Sequence, residues 1–331
     1  MRETKTVTFA QAIGEAIDEE MEKDENIIII GEDIGPYGGV YKHLTGLWEK
    51  YGDMRVRDTP ISEAATVGMA VGMAMTGMRP IVDLMHADFL FMAMDQLANQ
   101  AAKIRYMTGG QIRMPFTLIA PIGGGRSKAA QHSQSPQSII AHIPGLMVAL
   151  PSDAAEAKGL LKSAIRNDNP VVFFEHKVEF NRKMEIPVGD YTIPFGEANI
   201  VRQGSDVTIV ATSTMVTESK KAAKELAQAG IDVEVIDLRT LVPLDRVTII
   251  RSVKKTGRLL IVDEGHQSFG AGAEIGMSVM QDVFYDLDMP IMRLGAVDVP
   301  IPFSPPMEEF VIPNAEKIYR IASEMAHHKG F

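Results

Sequence analysis

Short apolar runs that end in a polar residue or glycine return at intervals along this chain, and segments with helical spacing fill the gaps between them. "NIIIIGEDIG", "RPIVDLM", "PFTLIAP", "GLMVALP" and "PVVFFEHK" are such runs; "VTFAQAIGEAIDEEME", "ADFLFMAMDQLANQAAKIRYM" and "DAAEAKGLLKSAIRN" are the intervening segments. A run with no polar alternation reads as a strand covered on both faces. Strands separated by helices predict a parallel sheet with helices on each side, whose site lies beyond the carboxyl ends of the strands. Glu63, Asp83, Phe89, Pro121 and His132 all fall at or just after such ends.

From about 178 to 206 the chain becomes polar, rich in proline and glycine, and loses helical period, which marks an irregular connection with short edge strands. The alternation then resumes with "DVTIVATS", "IDVEVIDLRT", "RLLIVDEG" and "IMRLGA" as strands between three helical segments. With 331 residues, more than one core is expected. The prediction is α/β throughout: two doubly wound, mostly parallel-sheet domains, 1–190 and 191–331. The prolines of "VPIPFSPPMEEFVIP" are expected to exclude a helix or central strand there.

Composition narrows the function. There are 33 basic against 43 acidic side chains, a net charge of −10, and no basic stripe, which argues against nucleic acid or an anionic membrane as partner. No run is long and apolar enough to cross a bilayer, and "MRETKTVTFAQAIGEA" has no signal-peptide pattern, so a cytoplasmic location is expected. The absence of cysteine rules out disulfides, thiolate nucleophiles and cysteine metal sites.

Chemistry concentrates in "RDTPISEAATVGMAVGMAMTG", which carries one carboxylate, Glu63, into an almost uncharged segment. Thr59 or Ser62 can cap a helix that Gly77 closes. Its faces are apolar all round, as in a buried helix, and Ala64, Gly68 and Gly72 leave one side nearly bare for the close approach of another backbone, of this chain or of another subunit. Glu63 then reads either as a carboxylate tuned by burial for proton chemistry or as a first-turn acid that favours the helix dipole. "PIGGGRSKAAQHSQSP" lacks both the phosphate-loop and the dinucleotide patterns; its His132 reads as a proton donor near a site or as an incidental loop histidine.

Longer stretches, "RDTPISEAA", "RPIVDLMHADF", "MDQLANQAAKIRYMTGG", "AAQHSQSP", "HIPGLMVALPS", "AKGLLKSAIRNDNPVVFFEHK" and "VIDLRTLVPLD" with "VKKTGRLLIVDEG", resemble the β subunit of the thiamine-diphosphate-dependent 2-oxoacid dehydrogenases, of pyruvate, branched-chain and acetoin types. The resemblance runs in order over nearly the whole chain. It implies a transketolase-like pyrimidine-binding domain followed by a transketolase C-terminal-like domain that pairs subunits. It implies that Glu63 hydrogen-bonds a ring nitrogen of the aminopyrimidine, that Phe89 packs on that ring with Ile61 beside it, and that His132 serves the active-site channel. A carboxyl there would favour the imino tautomer, let the exocyclic nitrogen deprotonate the thiazolium carbon, and so start loss of carbon dioxide.

Further implications follow from the same family. The main-chain carbonyls of Phe116, Ala164, Ile165, Asn167 and Asn169 correspond to a potassium site, with Asn167 where aspartate is common. Met92 replaces a more polar residue of some members, and His86 stands at a variable position. The family's "GDG" and asparagine pair for the diphosphate and magnesium do not occur in this chain, so magnesium and half the thiamine diphosphate site are expected on an α subunit in an α2β2 heterotetramer. The expected activity is decarboxylation of a 2-oxoacid, pyruvate or branched-chain, and acylation of the lipoyl group on the acyltransferase core. Acetoin cleavage on the same cofactor and a non-catalytic α/β scaffold are the alternatives.

Overall fold

The computed structural model describes residues 3–328 and divides them into two compact units. The first comprises residues up to Ile122 together with Ile139–Phe195; the second comprises Gly123–Ser138 and Gly196 onward. A single cut at 190/191 does not describe this division, because the sixteen-residue stretch holding the glycine-rich turn and His132 is built into the second unit. No local signal in that stretch announces the change of unit; its long-range hydrogen bonds make it.

Six parallel strands of the first unit lie in the order Met147–Ala149, Val171–His176, Thr117–Ile122, Arg79–Asp83, Ile27–Gly31, Val56–Asp58. The Thr117–Ile122 and Val171–His176 strands are buried along their whole length, as their largely apolar runs require, and the second carries Glu175 and His176 inside with it. The irregular connection after residue 178 does hold a short strand, Lys183–Pro187, which pairs antiparallel with Thr4–Thr8. Thr8 then caps the helix Phe9–Lys23 through a reciprocal bond with Gln11.

That helix packs against Ala154–Arg166 with two fully buried lysines between them. Lys158 pairs with Glu15 and Glu19, and Lys162 with Glu19 and Asp190. Burying an ammonium group is tolerable only with such partners.

The second unit repeats the architecture on five strands, ordered Met292–Ala296, Leu259–His266, Val207–Ala211, Val233–Asp237, Asn199–Arg202. All neighbours are parallel except the antiparallel edge strand Asn199–Arg202. Helices Thr214–Gln228, Arg246–Thr256, Ala271–Val283 and Ala315–His327 belong to this unit.

Two local expectations fail. The segment expected as one helix after His86 breaks into a 3-10 turn Ala87–Ala93, a π-helical turn Asp95–Ala101 and a short helix Ile104–Met107. Apolar spacing specifies a helical face but cannot register a π insertion, which shifts the phase by a residue. Prolines 305 and 306 do not exclude a helix: they begin one, Pro305–Val311. In a first turn the missing N–H has no intrahelical acceptor to lose.

Candidate active site

Glu63 is the first residue of the helix Glu63–Met75. Ser62 occupies the N-cap position but makes no side-chain cap bond, whereas the Thr66 hydroxyl reaches the Thr59 hydroxyl at 3.3 Å. Gly77, at φ +96°, ends the helix in the left-handed region that glycine tolerates best. Glu63 is half-buried and the preceding Ile61 is 84% exposed, so a carboxylate and an apolar side chain stand together at one helix entrance.

The 3-10 turn Ala87–Ala93 packs against this helix. Its Phe89 is half-buried and stands edge-on to the His86 ring, with centroids 5.8 Å apart. Met92, two-thirds exposed, brings no polar group to the turn. Within the first unit the structure thus gives Glu63, Ile61 and Phe89 neighbouring elements, while His132 belongs to the second unit. His132 is half-buried, and its amide bonds the Ala129 carbonyl at 3.3 Å.

In the first unit the carboxyl ends of three strands gather acidic groups that sequence reasoning did not assemble. Glu32 follows Ile27–Gly31, and its carboxyl is raised from the ordinary glutamate range by burial and then by the charges of Glu63, Asp33 and Asp83. Asp83 ends its strand and lies 3.0 Å from Nε2 of the buried His43. That is ion-pair distance for a protonated ring. Burial disfavours charge on His43, but Asp83 and then Glu175 outweigh it and hold its pKa above the usual value.

Glu175 is fully buried, and neither of its oxygens finds a hydrogen-bond donor. Burial pushes its pKa up to about 8; His43 pulls it back and Asp83 adds to it. Beside it in sequence, Lys177 lies 3.7 Å from Asp88, both buried. Each of these residues sits at a strand end or in a segment that follows one, but of them only Asp83 was singled out from the sequence; His43 meets it because the loop 32–46 folds back onto the sheet.

The expected potassium carbonyls cluster at the carboxyl end of Ala154–Arg166. Two of them, Ile165 and Asn167, accept bonds from the Arg79 guanidinium at 3.0 and 3.1 Å. The Ala164 carbonyl accepts from the Asn167 amide and that of Phe116 from the Val171 amide. Arg105 donates to the Asp168 carbonyl and to the side-chain oxygen of Asn169. This helix end therefore already holds a fixed cation, as the dipole favours, while each carbonyl keeps a second lone pair. Among the described residues no group of three or more histidines or acids could hold a metal ion. No helix among them is long and apolar enough to cross a membrane.

Residues 5–183 match the transketolase pyrimidine-binding domain and residues 196–318 the transketolase C-terminal domain. The chain is 45% identical over 96% of its length to a pyruvate dehydrogenase E1 component subunit beta of Rhizobium meliloti, covering 69% of that protein. It is 41% identical over 97% of its length to a 2-oxoisovalerate dehydrogenase subunit beta of Bacillus subtilis, covering 98% of it. It is 47% identical over 95% of its length to the beta subunit of an acetoin:2,6-dichlorophenolindophenol oxidoreductase of Cupriavidus necator, covering 96% of it. Among solved structures, a split-gene transketolase in an inactive β4 tetramer superposes with a TM-score of 0.79 at 22% identity, over 98% of this chain and 99% of that one. That likeness concerns the fold.

Proposed function

We propose, from the premise that this chain belongs to the family of β subunits of the E1 components of 2-oxoacid dehydrogenases, that Glu63 is its acid–base group and that the chain works as half of a thiamine-diphosphate site. The observation that carries this is the helix entrance where Glu63 stands with Ile61 and the Phe89 turn close by. An apolar side chain, an aromatic face and one carboxyl are the groups that a flat heteroaromatic ring with one basic nitrogen requires. The ring end of the cofactor therefore fits this chain, and its diphosphate and magnesium are assigned to an α subunit.

When bound, thiamine diphosphate supplies a carbon nucleophile and the electron sink for decarboxylation. Glu63 holds a proton against the ring nitrogen, and Phe89 and Ile61 fix the plane of the ring. His132 delivers a proton to the sulfur of the opening lipoyl dithiolane. The substrate is a small 2-oxoacid, and the acyl group leaves on the lipoyl arm of the acyltransferase core.

Acetoin is a second substrate reading, favoured by the 47% identity to the Cupriavidus subunit. The α2β2 assembly is supported by the helix Glu63–Met75, which leaves Ala65, Met69, Gly72 and Met75 exposed on this chain. The carbonyls of Phe116, Ala164, Ile165, Asn167 and Asn169 are proposed to share their remaining lone pairs with one potassium ion beside Arg79.

Glu63→Gln tests the central assignment, because it keeps the shape and removes the acid. With the α subunit present, decarboxylation of the preferred 2-oxoacid should fall by about two orders of magnitude or more, at unchanged assembly by sedimentation. Near-normal turnover of the assembled variant would reject Glu63 as the proton-transfer group.

A further inference from the structure

The stretch Gly123–Ser138 is held in the second unit by three buried acids. The Gly124 amide donates to Glu264 at 2.7 Å, the Gly125 amide to one oxygen of Glu308 at 2.7 Å, and the Ser127 amide to the other at 3.1 Å. Farther along, the Gln137 amide group donates to both oxygens of Asp263 at 2.9 and 3.0 Å. Glu308 is 4% exposed and sits on the proline-initiated helix Pro305–Val311, whose end packs Val311 and Ile312 with Ile301 and Ala296. A side chain at Gly124 would meet the tip of Ile312 at 2.3 Å and Glu308 at 3.1 Å, so it would displace the Ile312 side chain.

The turn so held is strained. Ser127 and Ala129 are non-glycine residues at φ +49° and +61°, on either side of Lys128 and three to five residues before His132. Such backbone conformations are unfavourable for side chains with a Cβ, and hydrogen bonds to a charged group are stronger than those to a neutral one. The carboxylate of Glu308 grips one strained residue, Ser127, by its own amide. Glutamine cannot reproduce this grip, because one of its two termini is itself a donor and would face an N–H.

We propose that Glu308 is a positioning residue: its carboxylate sets the glycine-rich turn that presents His132 for transfer to the lipoyl arm. This rests on the reading of His132 given above, and the test separates the two. Hydrogen exchange on the full-length chain carries the structural arm. Glu308→Gln should speed exchange of peptides covering 123–133 by tenfold or more and leave the buried strand Val207–Ala211 unchanged; Glu308→Asp should restore part of the protection.

The functional arm uses the reconstituted enzyme. Glu308→Gln should lose at least tenfold more rate in lipoyl-domain acylation than in decarboxylation followed with an artificial electron acceptor. Adding His132→Ala to Glu308→Gln should then cost no more than His132→Ala alone. Unchanged exchange in 123–133 overturns the clamp. Faster exchange with equal losses in the two assays, or losses that multiply in the double variant, overturns its link to His132. A wild-type enzyme that acylates no lipoyl domain rejects the transfer reading, and the exchange result still decides whether Glu308 sets the turn.

Discussion

At the scale of single residues, the buried pair His43 and Glu175 makes stability depend on pH in a determined direction. Glu175 titrates near 4.5 in an unfolded chain and near 8 when folded, so between those values the folded state keeps a proton that the unfolded chain has released. Stability therefore falls as pH rises through that window. His43, whose pKa is also raised, adds to the same slope because its gain is lost as pH climbs through its folded value. Glu175→Gln removes one of the two titrations, and its unfolding midpoint should decline less steeply between about pH 5 and pH 8 than that of the wild type. Urea titrations at a series of pH values measure the slopes; parallel slopes would mean that Glu175 is ionised in the folded protein. The strand-end position of Asp83 was legible from "RPIVDLM", but His43 in "VYKHLTG" carries no such signal. Only the loop that folds it under the sheet gives it two acidic neighbours.

At the scale of an element, the helix Glu63–Met75 divides its small residues in a way that its apolar composition did not foretell. It buries Thr66, Val67, Ala70, Val71 and Ala74. Gly68 lies near Gln96, while a side chain added at Gly72 would meet nothing within 4 Å. The bare face expected from Ala64, Gly68 and Gly72 is thus partly occupied by the π-helical turn and partly open. Gly72→Leu has room within this chain and should raise helix propensity by about 0.8 kcal/mol, so the isolated chain should melt no lower than wild type. If this face meets another subunit closely, the same substitution overpacks it and weakens assembly with the α subunit by about 1–3 kcal/mol. Sedimentation across a concentration series measures this, and unchanged assembly would take the helix out of the interface.

At the scale of the whole molecule, the cation question becomes one of mass action. A potassium ion bound only by the folded protein would raise its melting temperature with concentration, and an equal concentration of tetramethylammonium, too large for the carbonyls, would not. We expect a higher melting temperature in potassium. Identical curves in the two salts would argue that no potassium ion joins Arg79 at the end of the helix Ala154–Arg166, where its guanidinium already bonds Ile165 and Asn167.

The alternation of apolar runs with helical segments determined the α/β class, both parallel sheets and the strand ends at which Glu63 and Asp83 lie, because strand burial and helical period are local properties written in every few residues. Long motifs such as "RDTPISEAA" and "AAQHSQSP" determined the family. What only the tertiary structure decided are relations between distant residues. Gly123–Ser138 joins the second unit through Glu264, Glu308 and Asp263, 126 or more positions away in sequence. Arg79 meets carbonyls more than eighty residues on. Pro305 and Pro306 open a helix because they fall in its first turn, and Glu308 within it reaches back to the turn before His132. A carboxylate's partner depends on which loop folds over it, and neither spacing nor composition along the chain encodes that distance.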